Sequence, residues 1–292
     1  MANKLYEESN IQAIANAIRT KKEEPSSVKY TVADMAQGVL DIPTGGGKVT
    51  ITEGSYFYWG NARIDIKDDF IFQVGTDPAG NNSLKSMFME ATKLSNNDIQ
   101  QILDDINNSF QNIKDCSGMF LNNTSVTLLD LSNIKYSGKV NFTQLFAGCS
   151  NLTGISFPQT FITISSSSYM FNNCSSLVDV VFQISFPSSM NSMFRNCSSL
   201  KKVHFNSSIF SPVDVTDTSS LFYGCTRLEK VILNHSSSAN NILQLSSSSA
   251  LTGVPSTCKF YVPDALVNRY KAATNWSAIA SQIYPLSEFV ES

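Results

Sequence analysis

The chain has 292 residues, 21 of them basic and 24 acidic, for a net charge of −3. So balanced a charge excludes the electrostatic footprint of a nucleic-acid binder or of a protein held on an anionic membrane. No apolar run reaches the roughly 18 residues that a membrane-spanning helix needs, so membrane insertion is not expected. The opening MANKLYEESN lacks the basic stretch and apolar run of a secretory signal. Folding in the cytoplasm of the producing cell, with reduced cysteines, is therefore expected. Many Ser and Asn residues with few charges suit an extended, surface-rich fold better than a compact enzyme.

Residues 1–44 read as a helical module. Ile11, Ile14 and Ile18 recur at helical spacing with Leu5 and Ala15. A second helix is predicted from Thr31, with Asp34 completing a capping box and Val32, Met35, Ala36 and Val39 on one face. It stops before Pro43. A helical pair this short builds little core alone. Its apolar residues Ile11, Ile14, Ile18, Val32, Met35 and Val39 are therefore the candidate attachment surface.

Residues 45–76 are predicted to form a Gly hinge (GGG, 45–47) and a small antiparallel β domain. KVTITEG, SYFYWG and ARIDIKDDFIFQVG are rich in β-branched and aromatic residues and are separated by Gly and Asn.

From residue 77 to 257 one phrase recurs: Met or Leu, Phe, two variable residues, a small residue, Ser or Thr, one variable residue, Leu or Val. Copies start at Met87, Met119, Leu145, Met170, Met193 and Leu221, the spacing of a leucine-rich-repeat solenoid. The first two carry Ala91 and Asn123 where the others have Cys, and an amphipathic segment at 96–113 predicts one inserted helix between them. A strand template follows each later phrase: LTGISF, LVDVVF, LKKVHF and LEKVIL, matched also by VTLLDL at 126–131. Its first, fourth and sixth places are apolar and should point inward. The third and fifth should point outward. The fold expected is an α/β-type solenoid of about six repeats, flanked by the N-terminal helical module and the small β domain, with a helical cap over 258–292.

In such a stack, Cys149, Cys174, Cys197 and Cys225 form a ladder one strand spacing apart, ~4.8 Å. A zinc site needs four ligands converging on one point, and a disulfide needs suitably directed Cβ vectors. A row of residues some 25 apart in sequence fits neither well, so structural thiols are expected and no metal or cofactor is called for. Nor does a catalytic set stand out. His204 and His235 fall at different offsets in different repeats, where solvated or surface-packed rings are expected. GGGK lacks the phosphate-loop spacing. DVTDT (214–218) reads as a polar loop that could touch a cation, and the SSSS runs at 165–168 and 246–249 as exposed loops. A glycosidase needs only two placed carboxylates, and nothing in the sequence selects a pair.

The outward strand rows form the candidate binding face. The third-place row is Leu128, Gly154, Asp179, Lys202 and Lys230; the fifth-place row is Asp130, Ser156, Val181, His204 and Ile232. Exposed aliphatic residues there mean either a ligand face or a face packed on a neighbouring subunit or on residues 48–76.

The F-x-x-C-[ST]-x-L-x-x-[IV] repeats resemble the BspA-type leucine-rich repeats of bacterial surface proteins and phage proteins. CKFYVPDALVNRYKAATNWSAIASQIYPLSEF (258–289) looks like the segment that closes such arrays. There Pro263 should open a helix, with Trp276 and Ile279 folding back as a lid. IQAIANAIRTKK and YTVADMAQGVLDIP are similar to an N-terminal module of phage virion proteins. The resemblance implies a non-enzymatic virion structural protein of a tail fibre, baseplate or capsid, made in the host bacterial cytoplasm. It would be attached to other virion proteins through residues 1–44, display the repeats to host cell-surface polysaccharide or protein, and form a homo-oligomer. A bacterial surface adhesin and a carbohydrate-active enzyme are the alternatives.

Overall fold

The computed structural model describes four strands between residues 48 and 73 and residues 84–291, apart from 93, 110–112, 159, 161, 184, 186, 208–211, 213–214 and 238–240. The expected N-terminal helices, with Ile11, Ile14, Ile18, Val32, Met35 and Val39, lie outside the described residues. The early strands pair antiparallel: β1 (Lys48–Ile51) with β4 (Phe70–Gln73), and β2 (Tyr56–Trp59) with β3 (Ala62–Asp65).

From residue 84 the chain winds as a parallel-stranded solenoid with two walls. The first wall holds β6 (Leu128–Asp130), β8 (Gly154–Ser156), β10 (Asp179–Phe182), β11 (Lys202–Ser207), β12 (Lys230–His235), β13 (Lys259–Val262) and β14 (Ile283–Pro285). β6 pairs with β8, and β10 to β14 form one sheet in chain order. Val178 N donates to Thr153 O (3.3 Å), carrying the ladder from β8 to β10. The second wall holds β5 (Ile113–Asp115), β7 (Tyr136–Asn141) and β9 (Thr163–Ser166). It continues through the parallel bridge of Ser189 with Asp217.

The second wall departs from the sequence reading, which expected one strand per repeat. Its strands contain few apolar residues, so no period-2 signal marks them. Side-chain hydroxyls and amides replace that signal. Thr143 Oγ1 donates to Ser166 Oγ (2.9 Å), and Ser168 Oγ lies 2.8 Å from Ser189 Oγ. The serine run at 165–168 is accordingly not an exposed loop: Ser165 and Ser166 end β9, and Ser167 is buried. Small hydroxyl residues suit a wall where each side chain must bond its counterpart one repeat away.

The recurrent phrase is a tight turn between the walls. Two residues four apart in each copy have positive φ, for example Gln144 (58°) with Gly148 (77°) and Ser192 (53°) with Asn196 (61°). Asn and Gly dominate the second of these places because they tolerate left-handed backbone best. At Gly224 (φ 75°) a Cβ would also sit 2.6 Å from Asn196 Oδ1 of the preceding repeat. The backbone ladder runs straight through the turn, as in Phe171 N to Met193 O (2.8 Å) and Phe194 N to Leu221 O (2.9 Å). These bonds hold the remaining non-glycine residues in left-handed backbone, a conformation that costs roughly 1–2 kcal/mol per residue.

Within the turn, the phenylalanines stack. Phe88, Phe120, Phe146, Phe171, Phe194 and Phe222 lie face to face at centroid spacings of 5.1–5.5 Å. Each burial contributes ~1.5–3 kcal/mol, and each ring pair about 0.5–1.5 kcal/mol more. The cysteine ladder runs alongside and adds a feature that apolar burial does not require. Cys149, Cys174, Cys197 and Cys225 each donate Sγ–H to the preceding repeat's Phe carbonyl at 3.0 Å. Asn123 does the same with its amide, to Phe88 O at 3.0 Å. Cys and Asn are thus equivalent here because both are small donors.

Both ends of the first wall are closed. At the start, α1 (Asn96–Ser109) opens on a box in which Asp98 N donates to Ser95 Oγ and Ser95 N to Asp98 Oδ2, both 3.1 Å. The free edge of β6 meets this helix. Asn96 Oδ1 accepts Thr127 N (2.9 Å), while Gln100 pairs with both backbone groups of Asp130 (2.9 and 3.0 Å). These side chains satisfy an edge that would otherwise be open to pairing with another chain. At the far end, Asp264–Leu266 form a 3-10 turn leading into α2 (Val267–Ala272). Trp276 is buried and donates Nε1–H to Leu243 O (2.7 Å), and Ile279 packs against the core. β14 follows, a strand not foreseen from sequence because IYP offers only three residues before a turn.

Candidate functional site

In-register strands bring the outward residues of the first wall into columns. Leu128 pairs with Gly154, and Asp179, Lys202, Lys230 and Lys259 follow in the third-place column. Asp130 pairs with Ser156, and Val181, His204, Ile232, Tyr261 and Tyr284 follow in the fifth. The structure thus assembles all nine predicted face residues on one wall, with exposures that split it in two.

Over β6 to β10 the face is open. Leu128 is 60% exposed, Val181 is 44% exposed, and Asp130, Ser156 and Asp179 are exposed beside them. Leu128 leans over Gly154, where an added Cβ would stand 3.1 Å from its Cδ1. Small residues in the third repeat, Gly154 and Ser156, thus leave a shallow step flanked by aliphatic and carboxylate groups.

Over β11 to β13 the fifth-place row is covered, so of the two roles expected for it, ligand face or packed face, this part is packed. Ile232 is 0% exposed. The cover seen among the described residues is the chain's own segment 286–291. The ring of Phe289 lies edge-on to Tyr261 (5.2 Å) and His204 (6.0 Å), and Glu291 Oε1 is 3.9 Å from Lys202 Nζ. Tyr261, Tyr284, Phe289 and Glu291 were missed in the sequence. Reading KFYV as one more copy of the strand template, with Phe260 and Val262 at its inward places, would have found Tyr261.

His204 is surface-packed, one of the two states expected, whereas His235 is neither solvated nor surface-packed. His204 is half-buried under Phe289, with no hydrogen-bond partner for its buried Nε2. Burial lowers its pKa, which Lys202 also lowers and Glu291 partly restores. His235 is the last residue of β12 and is buried. Its Nδ1 faces Ser236 O at 3.0 Å; a carbonyl only accepts, so Nδ1 carries the proton and Nε2 accepts from Tyr270 Oη (2.7 Å). Tyr270 Oη in turn accepts Leu243 N (2.9 Å). Burial holds His235 below the usual histidine range. This triad ties the closing helix to the last repeat and leaves no lone pair for a substrate.

All six cysteines are buried and free, and burial pushes their pKa values up, to about 12 for Cys225 and Cys258. A thiolate, the form needed for nucleophilic attack or metal ligation, is therefore strongly disfavoured. Among the described residues, no group of three His, Cys, Asp or Glu side chains could hold a metal ion. Asp217, from the DVTDT segment, caps Ser219 N (2.9 Å) and accepts Asn191 Nδ2 (3.0 Å), so its carboxylate serves the turn. A cleft of about 510 Å³ beside β7 and β9, lined by Asn133, Lys135, Tyr136, Thr160 and Thr163 among others, contains none of the predicted residues.

Comparison with known proteins addresses the repeats. Residues 133–242 match the family model of the BspA type leucine rich repeat region, in six copies. These residues are thus similar to BspA-type leucine-rich repeats, and the array is BspA-like. A second model, that of a Mycoplasma protein of unknown function, matches residues 77–183. It takes in the two earliest BspA-like copies, in which Ala91 and Asn123 stand in place of Cys. No curated protein and no solved structure matches the chain. Within the BspA-like repeats, the Phe and Cys of the phrase are interior and the variation falls on the strand face.

Proposed function

We propose that this BspA-like protein is a non-enzymatic binding protein that presents the open half of its strand face, Leu128, Asp130, Ser156, Asp179 and Val181, to an extended partner. The observation that carries this is the exposure of Leu128 and Val181 on an in-register wall whose other half is covered. Exposed aliphatic groups among carboxylates and a hydroxyl suit sugar-ring faces or an extended polypeptide better than a purely solvating surface does. The setting is a phage virion, where residues 1–44 attach the chain to other virion proteins and host polysaccharide or protein is the partner. The resemblance of IQAIANAIRTKK and YTVADMAQGVLDIP to virion modules supports this. In that setting the protein is a homo-oligomer, as virion appendages are commonly symmetric.

A bacterial surface adhesin is the second reading, and the BspA-type match favours it equally. Antiserum against the protein separates the two, by decorating purified phage particles in one case and the surface of the producing bacterium in the other. A variant lacking residues 1–44 that still entered particles normally would remove the attachment role.

Binding itself is tested with labelled protein on intact cells and on isolated wall polysaccharide, beside a Leu128→Glu, Val181→Glu variant. Saturable binding weakened at least ten-fold (about 1.4 kcal/mol) in the variant is expected. Saturable binding that the variant leaves intact would place the site elsewhere, and no saturable binding would sink the receptor role.

A further inference from the structure

The covered half of the strand face ends in a contact that the repeats do not need. After the 3-10 turn Leu286–Glu288, the chain returns over the sheet and lays Phe289 between Tyr261 and His204, with Glu291 near Lys202. The cover is lightly held. Val290 is exposed, the Glu291 side chain stays 71% exposed, and its ion pair is long at 3.9 Å. The segment's backbone is anchored at its turn, where Ser287 N donates to Asp264 Oδ1 (3.0 Å) and Phe289 N to Leu286 O (3.0 Å).

What lies beneath is better built than its cover. Ile232 forms an apolar floor, Tyr261 and His204 make two aromatic walls, and His204 Nε2 is buried with no hydrogen-bond partner. Beside them, Lys202, Lys230 and Lys259 stand in register on three adjacent strands. Like charges stacked one strand apart repel, so this column favours a carboxylate laid across it. A parallel sheet face with alternating pockets also recognises an extended chain by its alternate side chains.

We propose that this half of the face is a peptide-binding site for an extended segment carrying an aromatic residue followed, two positions on, by a carboxylate, and that Phe289 and Glu291 occupy it in cis as a displaceable cover. The partner is an aromatic and acidic polypeptide rather than a sugar, because an aromatic slot with a cationic column beside it is what Phe289 and Glu291 already satisfy. This site is separate from the open half and stands or falls independently of what Leu128 and Val181 contact.

The test uses a fluorescein-labelled peptide PLSEFVES, the sequence of residues 285–292, and the full chain in two forms. Fluorescence anisotropy should show the Phe289→Ala, Glu291→Gln chain binding the peptide at least ten-fold more tightly than the unaltered chain. Adding Lys202→Ala and His204→Ala to that opened chain should abolish the gain, as should replacing the peptide's Phe by Ala. Equal affinity of opened and unaltered chains, or binding indifferent to the peptide's Phe, would overturn the proposal. A second measurement guards against misfolding of the variants. With fluorophenylalanine at position 289 of the otherwise unaltered chain, excess unlabelled peptide should move the fluorine signal from a buried to a solvent-exposed shift. A signal unmoved at saturating peptide would equally refute displacement.

Discussion

The open and covered halves of the strand face are built from one template and differ in a single physical respect. Val181 and Ile232 occupy the same place in their strands, both β-branched, yet one is 44% exposed and the other fully buried. The alternation of a strand decides which wall a side chain projects from. It does not decide what lies above that wall. Residues 286–291 settle that for the last repeats, and nothing among the described residues does so for Leu128 and Val181. A repeat array can therefore vary its surface chemistry freely while a cover converts part of that surface into core.

Mutations can break this comparison, starting with the interior common to both halves. Phe194→Ala removes one ring from a stack that underlies the whole array and should cost ~3–5 kcal/mol in denaturant unfolding. A loss no greater than that of an exposed Ser→Ala control would mean the ladder does not hold the repeats together. Next come the two matched positions. Ile232→Ala should cost ~2–5 kcal/mol, whereas Val181→Ala should stay within about 0.5 kcal/mol. Equal effects would show that the cover over Ile232 is not in place in solution.

A smaller effect sharpens the account of the cysteines. Cys197→Ala should cost ~1 kcal/mol by removing the donor to Phe171 O, and Cys197→Ser, which keeps a donor, should lose less. If Ala and Ser were indistinguishable, the hydrogen bond would contribute nothing beyond packing. The smallest change is with pH. Burial holds His204 and His235 below their ordinary range, so the unfolded chain binds more protons below about pH 6.5. Stability should be full above that pH and decline as pH falls toward the folded-state values. Melting curves at pH 7.5 and 5.5 check this, and His235→Gln should show a shallower decline than the unaltered chain.

The interior was largely readable in the sequence. Met193, Phe194, Cys197 and Leu200 lie at fixed offsets shared with their counterparts in other repeats, and each is buried. Parallel stacking makes one repeat's environment the next one's environment, so repetition in sequence becomes repetition in contact. The second wall was hidden because Ser166, Ser168 and Ser189 carry no hydrophobic period and find partners one repeat away. The edge cap by Asn96 and Gln100 was hidden for a related reason: amide side chains that substitute for a strand leave no local pattern.

By itself, then, the sequence determined the repeat, its inward places and the wall on which nine candidate face residues stand, since those follow from strand alternation and a recurring phrase. Only the tertiary structure decided that Lys202, His204 and Ile232 lie near or beneath Phe289 and Glu291 while Leu128 and Val181 lie open. That partition depends on a contact between residues more than fifty positions apart, made by a single aromatic ring and a long ion pair, and no local spacing encodes where a chain will lay its closing segment.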